Sequence, residues 1–354
     1  MRREHATDGK PVLRFASGLQ IRVGNLRAGI GLMSATILLA ALSAGLGVTD
    51  AGILDLLNGF TGTDADDARA YALWTVRLPR IVMGFMAGCA VALAGAMLQS
   101  IARNPLADPG LFGLSQGSMT MIMLLFVLAP AAPKAMIALA AMTGGLGVAM
   151  LLIWLGGGER SSGLAILLMG IAIESVLSSV GSLLILYMPT ETSLALSEWM
   201  AGSLFKADWS SIATFAPLMV LSIVGIFLSG RALSAYDLGN EMAMALGEPV
   251  GRSRPVILVF AVLLSTAAVT AVGPLTFLGV LAPHLAGFVS PAVSRARLFL
   301  SALMGGILVI AADALTRGLV GDVPLPIGLS LTIIGVPLFI LALRLQALRK
   351  MQTH

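Results

Sequence analysis

Apolar residues in this chain come in long runs separated by short polar breaks, which is neither the 3.6-residue period of a surface helix nor the alternation of a half-buried strand. A helix that crosses the hydrocarbon layer needs roughly 20 predominantly apolar residues. Ten stretches come near that length: 28–48, 78–98, 111–129, 135–155, 164–188, 212–228, 256–272, 277–289, 298–315 and 327–343. The eighth is the shortest. Most breaks are short, and helices joined by short turns lie antiparallel, so the pattern predicts an all-α polytopic membrane protein with about ten transmembrane helices in one bundle. A polar segment over 1–27 precedes the membrane domain at 28–346, and a tail over 347–354 follows it.

Composition agrees. With 57% hydrophobic and 11% charged residues and a mean hydropathy of +0.94 over 354 positions, the chain has too much apolar surface for a water-soluble globule. Placing the N-terminus inside and alternating the spans leaves sixteen Lys or Arg on the cytoplasmic side and six outside. That is the positive-inside asymmetry, and it puts both termini in the cytoplasm. The basic residues are dispersed between spans, so the net charge of +4 reflects membrane anchoring and not nucleic-acid binding. The first 27 residues are too long and polar for an ordinary secretory signal, so 28–48 reads as a retained helix. Cys89, the single cysteine, allows no internal disulfide and no metal-thiolate cluster. No phosphate-binding loop is present: Gly9-Lys10 lacks the upstream glycine and is followed by proline. Gly113-Leu-Ser-Gln-Gly117 matches a hydrolase elbow in letters but lies in an apolar helical span.

Arg77 and Arg80 open the second span on its outer side, where basic residues are sparse and a cation opposes the helix dipole by roughly 0.3–1 kcal/mol. They fit either anchoring to lipid phosphates or two-point pairing with carboxylates of an external partner. Asp313 and Arg317 stand one turn apart near the outer end of the ninth span. Their spacing suits an internal ion pair, or Arg317 joins the outer arginines with Asp313 orienting it. Glu174 lies deep in the fifth span, where an ionised carboxylate facing lipid costs several kcal/mol. It is either protonated and bonded to a neighbouring helix or placed on a watery path.

The inner break 231–254 contains Leu238, Gly239, Asn240, Glu241, Met242, Ala245, Leu246 and Gly247. The two glycines bracket a short helix with Leu238, Met242, Ala245 and Leu246 on one face, lying flat on the bilayer or plugging into a cytoplasmic partner. In the inner turn after the second span, Asn104, Pro105, Asp108 and Pro109 reverse the chain, with Asp108 expected as N-cap and Pro109 at the first position of the next helix. Gly84 and Gly88, and Gly113 and Gly117, have the four-residue spacing that lets helices approach closely in lipid.

Five ordered segments carry a family likeness. Arg77-Leu-Pro-Arg80, Arg103-Asn-Pro-Leu-Ala-Asp-Pro-Gly110, Leu238-Gly to Ala245-Leu-Gly247, Gly273-Pro-Leu-Thr-Phe-Leu-Gly279 with Ala282-Pro-His284, and Ala312-Asp313 with Leu325-Pro-Ile-Gly328 resemble the motifs of FecCD-type permeases. These serve ATP-driven importers of ferric siderophores, haem or vitamin B12. The likeness covers nearly all of the chain after the first span. It implies ten helices per subunit, two permease subunits (identical or homologous) around a central path, two cytoplasmic ATPase subunits, an external binding protein and a place in the bacterial inner membrane. By resemblance, Arg77, Arg80 and Arg317 grip carboxylates of the binding protein, and 238–247 is the coupling helix seated on the ATPase. The implied mechanism is alternating access, with ATP and Mg on the ATPase and no cofactor, metal or catalytic residue on this chain. Ferric siderophore is the first expectation for substrate. Glu174 departs from the small or neutral residue usual at its position. A rival class, a proton-coupled secondary transporter, would rest on Glu174 and Asp313 alone.

Overall fold

Uninterrupted apolar runs have one way to satisfy their backbone groups in lipid, which is to wind as helices. The computed structural model, which describes residues 2–5, 9, 11–14, 20–47, 55, 67–156, 163–320 and 325–352, shows a helix over each of the ten apolar stretches. In chain order the helices are α1 (Val23–Gly45), α2 (Ala68–Ala102), α3 (Leu114–Leu128), α4 (Lys134–Leu155), α5 (Gly163–Leu186), α6 (Thr190–Met200), α7 (Trp209–Leu238), α8 (Asn240–Ala245), α9 (Val250–Val272), α10 (Leu278–Val289), α11 (Ser294–Val320) and α12 (Ile327–Gln352). Among the described residues seven helices are long and apolar enough to cross a membrane, or eight with the two arms of α7 taken as one span; α3 and α10 are apolar but short.

Two elements lie outside the sequence expectation. The N-terminal segment folds as an antiparallel sheet, β1 (Arg2–His5), β2 (Pro11–Arg14) and β3 (Gln20–Arg22), with Val12 paired to Glu4 and Arg22. α6 is a short helix between α5 and α7, started at Pro189, whose fixed φ suits a helix entry.

α2 is the axis of the bundle, the most deeply buried of the long helices, and α9, α10 and α11 pack around it. Near its start it is wound as a π-helix over Ala72–Arg77, two residues before Pro79, which has no N–H to continue an ordinary ladder. Glycine seams bring backbones into contact: Gly88 faces Gly305 and Gly306, Gly95 faces Gly279, and Gly117 faces Gly144. A Cβ at Gly88 or Gly95 would land on the facing backbone carbonyl, the close approach small residues permit in lipid.

Depth along the helices fixes where the breaks lie. Gly163, the start of α5, packs on Ala102, the end of α2, so both mark the inner level. Gly113 sits against the backbone of Glu174, three turns up α5 and about 16 Å above that level at 1.5 Å per residue. α10 starts opposite Gly95, two turns up α2, about 10 Å. The connections 103–113 and 273–277 therefore run inside the thickness of the bundle, and each ends in a left-handed residue, Gly113 (φ 71) and Phe277 (φ 68). Ala107, Phe112 and Leu275 on them are buried, as non-helical backbone at that depth requires.

Asp108 does not cap the helix that follows it. α3 starts at Leu114, with Gly113 as its N-cap residue, because Asp108 is engaged in its own turn: Oδ1 accepts from Gly110 N–H (2.8 Å), and Phe112 N–H donates to its carbonyl (3.2 Å). Oδ2 lies against Gly279 in the first turn of α10, where the positive end of the helix dipole favours a carboxylate.

Candidate functional site

The π-turn and first turn of α2 aim Arg77 and Arg80 at the outer ends of α1 and α11. From Ala102 to Arg80 is six turns, about 33 Å, close to the hydrocarbon thickness of roughly 30 Å. Arg80 reaches Asp313 on α11 with Nε (2.7 Å) and Nη2 (2.6 Å), both on Oδ1; Arg317 donates Nε to Oδ2 (3.0 Å) from the same helix. Arg317 also donates Nη1 to the Leu46 carbonyl (2.9 Å) and Nη2 to the Ser43 carbonyl (3.1 Å) and hydroxyl. Arg77 donates Nη1 to the Ala44 carbonyl (2.7 Å). The last turn of α1 has no basic residue of its own, so its unpaired carbonyls and negative dipole end are served by guanidiniums from α2 and α11. Gly47 (φ 147) makes room for this, since a Cβ there would stand 2.8 Å from Arg77 Nη2. Among the described residues, Asp313 is the carboxylate that Arg80 and Arg317 share. Arg77 is 5% exposed, and the side chains of Arg80 and Arg317 are 18% and 14% exposed.

A second polar cluster ties the inner ends of the bundle. Arg297, in the first turn of α11, donates to Gln99 Oε1 (2.7 Å), Asp237 Oδ1 (3.3 Å) and Ser100 Oγ (3.3 Å); Ser100 donates to Asp237 (2.7 Å), and Gln99 Nε2 donates to the Gly279 carbonyl (3.1 Å). α2, α7, α10 and α11 meet here. Asp237 directly precedes the 238–247 segment. α8 is a six-residue helix between Gly239 (φ 106) and Gly247 (φ 80), left-handed positions that suit glycine. Its Ala243 is buried, while Leu238, Met242, Met244 and Leu246 are exposed. Arg103 lies over Gly239, and Tyr236 Oη is bonded to Ser253 (3.0 Å), so the segment is held from both sides.

α5 is the least buried of the long apolar helices, yet it carries polar residues along it. Ser175, Ser179 and Ser182 are exposed and donate to the carbonyls four residues earlier, at 2.9–3.0 Å. Ser178 falls on the same stripe, and Glu174 begins it, half-buried beside Gly113.

A model of the FecCD transport family matches residues 35–345. The chain belongs to that family. As a FecCD protein it is a multi-pass membrane transport permease. It is 31% identical over 315 residues to the Fe(3+)-citrate import system permease protein YfmE of Bacillus subtilis, covering 88% of this chain and 92% of the relative. It is 33% identical over 288 residues to the ferric enterobactin transport system permease protein FepG of Escherichia coli, covering 81% and 86%. A solved structure described as an inward-facing conformation of a metal-chelate type ABC transporter shares the fold, with a TM-score of 0.78 and 24% identity, covering 90% of this chain and 99% of that one.

In this FecCD chain Arg77, Arg80, Arg317 and Asp313 come together although Arg80 and Asp313 are 233 residues apart. Glu174 is separate from them, on α5. Leu238, Met242, Ala245 and Leu246 are all exposed at α8, with Glu241; Asn240 is half-buried. Asn104 accepts from Leu106 N–H (2.9 Å) through its side chain, which with Pro105 and Pro109 turns the inner connection. The cluster of Gln99, Ser100, Asp237 and Arg297 had no local signal in the sequence, because its members come from three separated helices. The serine stripe did: Glu174, Ser175, Ser178, Ser179 and Ser182 recur at helical spacing on an otherwise apolar run. Among the described residues no group of three or more His, Cys, Asp or Glu is placed to hold a metal ion.

Proposed function

We propose that this chain is the permease subunit of a metal-chelate importer of the ATP-binding-cassette type in a bacterial inner membrane, carrying a ferric siderophore inward by alternating access. The observation that carries the reading is α5: a lipid-exposed helix with a polar stripe is costly unless a second subunit or a watery path covers it. A second permease subunit packed across α5 would turn the stripe and Glu174 into one wall of a central path. At the outer rim, Arg80 and Arg317 keep enough exposure to meet carboxylates of a binding protein, while Arg77 holds the end of α1. At the inner face, Leu238, Met242 and Leu246 offer an apolar knob to an ATPase groove. That ATPase would supply the ATP and Mg chemistry. The family membership, and the citrate and enterobactin systems named for the two relatives, support a ferric chelate; haem and cobalamin are the competing substrates.

The test is uptake by proteoliposomes that contain the chain with a partner ATPase and binding protein. ATP-dependent accumulation of a radioiron-loaded siderophore, and disulfide capture of two permeases through Ser179→Cys, are expected. Solute accumulation by the chain alone, or Ser179→Cys copies that never cross-link in the assembled transporter, would reject it. Uptake of haemin or cobalamin in place of the siderophore would replace the substrate.

A further inference from the structure

Between α4 and α7 the bundle has a gap. Both helices pack on α9 but not closely on each other, and the space above α9 is a cavity of about 710 Å³, within the range of small-molecule sites. Its rim and its depth differ in chemistry. Lys134, at the start of α4, and Asp208, at the N-cap of α7, pair at 3.3 Å; Lys206 and Glu191 complete the rim. Deeper walls are Met142, Leu218, Ile122 and Phe215. From Lys134 to Met142 is about 12 Å and from Asp208 to Leu218 about 15 Å along the helices, which is the depth of one leaflet of a hydrocarbon core roughly 30 Å thick.

We infer that this cleft binds one phospholipid of the outer leaflet, its acyl chain between α4 and α7 and its zwitterionic head at the rim. Three observations select a lipid. The rim stands at headgroup level, because exposed amphipathic rings that favour that level flank it: Trp209 beside Asp208, and Tyr187 at the end of α5. Both walls also carry exposed apolar residues, Leu139 on α4 and Val220 and Leu221 on α7, a surface suited to acyl chains beside the gap. The rim charges are balanced. With Lys134 and Asp208 occupied by each other, Lys206 is left for a phosphate and Glu191 for an ammonium, which matches a phosphoethanolamine head. The bound lipid would fill a void in the α4–α7 wall and hold the two helices apart at a fixed distance.

The experiment uses the full-length chain in nanodiscs containing phosphatidylethanolamine with a photoreactive group midway along one acyl chain. Saturable labelling of peptides carrying Met142 and Leu218 is expected, above the non-saturable labelling at Leu139 and Val220. Ala271→Trp, which fills the cleft from α9, should cut cleft labelling at least tenfold and leave the outer faces unchanged. Lys206→Glu, an exposed change that does not depend on repacking, should weaken retention about fivefold, the equivalent of about 1 kcal/mol. Cleft labelling that does not saturate, or that survives both substitutions, overturns the assignment. So does displacement of the lipid by micromolar ferric chelate, which would make the cleft a substrate site.

Discussion

Asp313 is the residue whose removal should cost the fold most at the outer rim. It is 1% exposed and holds two guanidiniums from different helices at 2.6–3.0 Å. Hydrogen bonds to charged groups contribute about 1.5–3 kcal/mol each, and breaking a buried ion pair from one side costs about 3–5 kcal/mol because the partner charge is stranded. Here two partners are stranded, and Arg317 then strains the carbonyls of Ser43 and Leu46 that it also serves. Asp313→Asn should therefore destabilise the protein by about 3–5 kcal/mol, read as the free energy of unfolding in a denaturing-detergent titration. The diagnostic comparison is Asp313→Leu combined with Arg80→Met and Arg317→Met. Removing the carboxylate together with the two guanidiniums it pairs with strands neither of them, so the triple variant should recover most of the loss. An Asp313→Asn protein within about 1 kcal/mol of the parent, or a triple variant no more stable than Asp313→Leu alone, would refute the argument that this carboxylate is what keeps the two guanidiniums paired.

Other expectations follow from the seams and turns. Gly95→Leu drives a side chain into the Gly279 backbone and should cost more than the 1–3 kcal/mol typical of overpacking, seen as loss of folded protein in size-exclusion profiles. Met242→Arg should leave stability within about 0.5 kcal/mol, since Met242 is exposed, while separating ATP hydrolysis from uptake in the assembled transporter; coupling at the parental ratio would reject the α8 assignment. Arg297→Met should speed amide exchange across 238–247 with little effect at the outer rim. The Asp208 carboxyl is held below its usual range by hydrogen bonds from Ser211 and by Lys134. A depressed carboxyl pKa contributes stability above the unfolded value of about 3.9 and loses it as pH falls through the folded value. The first turn of α7 should thus fray only below about pH 4, and Asp208→Ala should remove that pH dependence.

The helices were legible because lipid leaves a long apolar run no alternative, and the runs 135–155 and 164–188 match α4 and α5 to within one or two residues. What the sequence could not convey is depth. The run 111–129 looks like a span from its letters, but α3 starts only at Leu114 because Asp108 closes its turn on Gly110 and the chain needs a left-handed Gly113 before it can wind. α6 was missed because Thr190–Met200 is too polar and short to register as a span, and the N-terminal sheet because its strands are three or four residues long. At the outer rim the residue types were readable one at a time. Their gathering at one mouth, with Asp313 orienting Arg317, was one of two readings the sequence left open; that Arg80 also closes on Asp313 was not legible, since the α2–α11 glycine seam brings together residues 233 positions apart.

The two breaks that end at Gly113 and Phe277 meet where Asp108, Gln99 and Gly279 touch. Unwound peptide is the softest mechanical element a bundle can contain, whereas α2 passes this level as an unbroken rod. The protein thus has one continuous post, α2, and two unwound joints about 10 Å and about 16 Å above its inner level, so the segments that can bend are set apart from the arginine-bound upper end of α2.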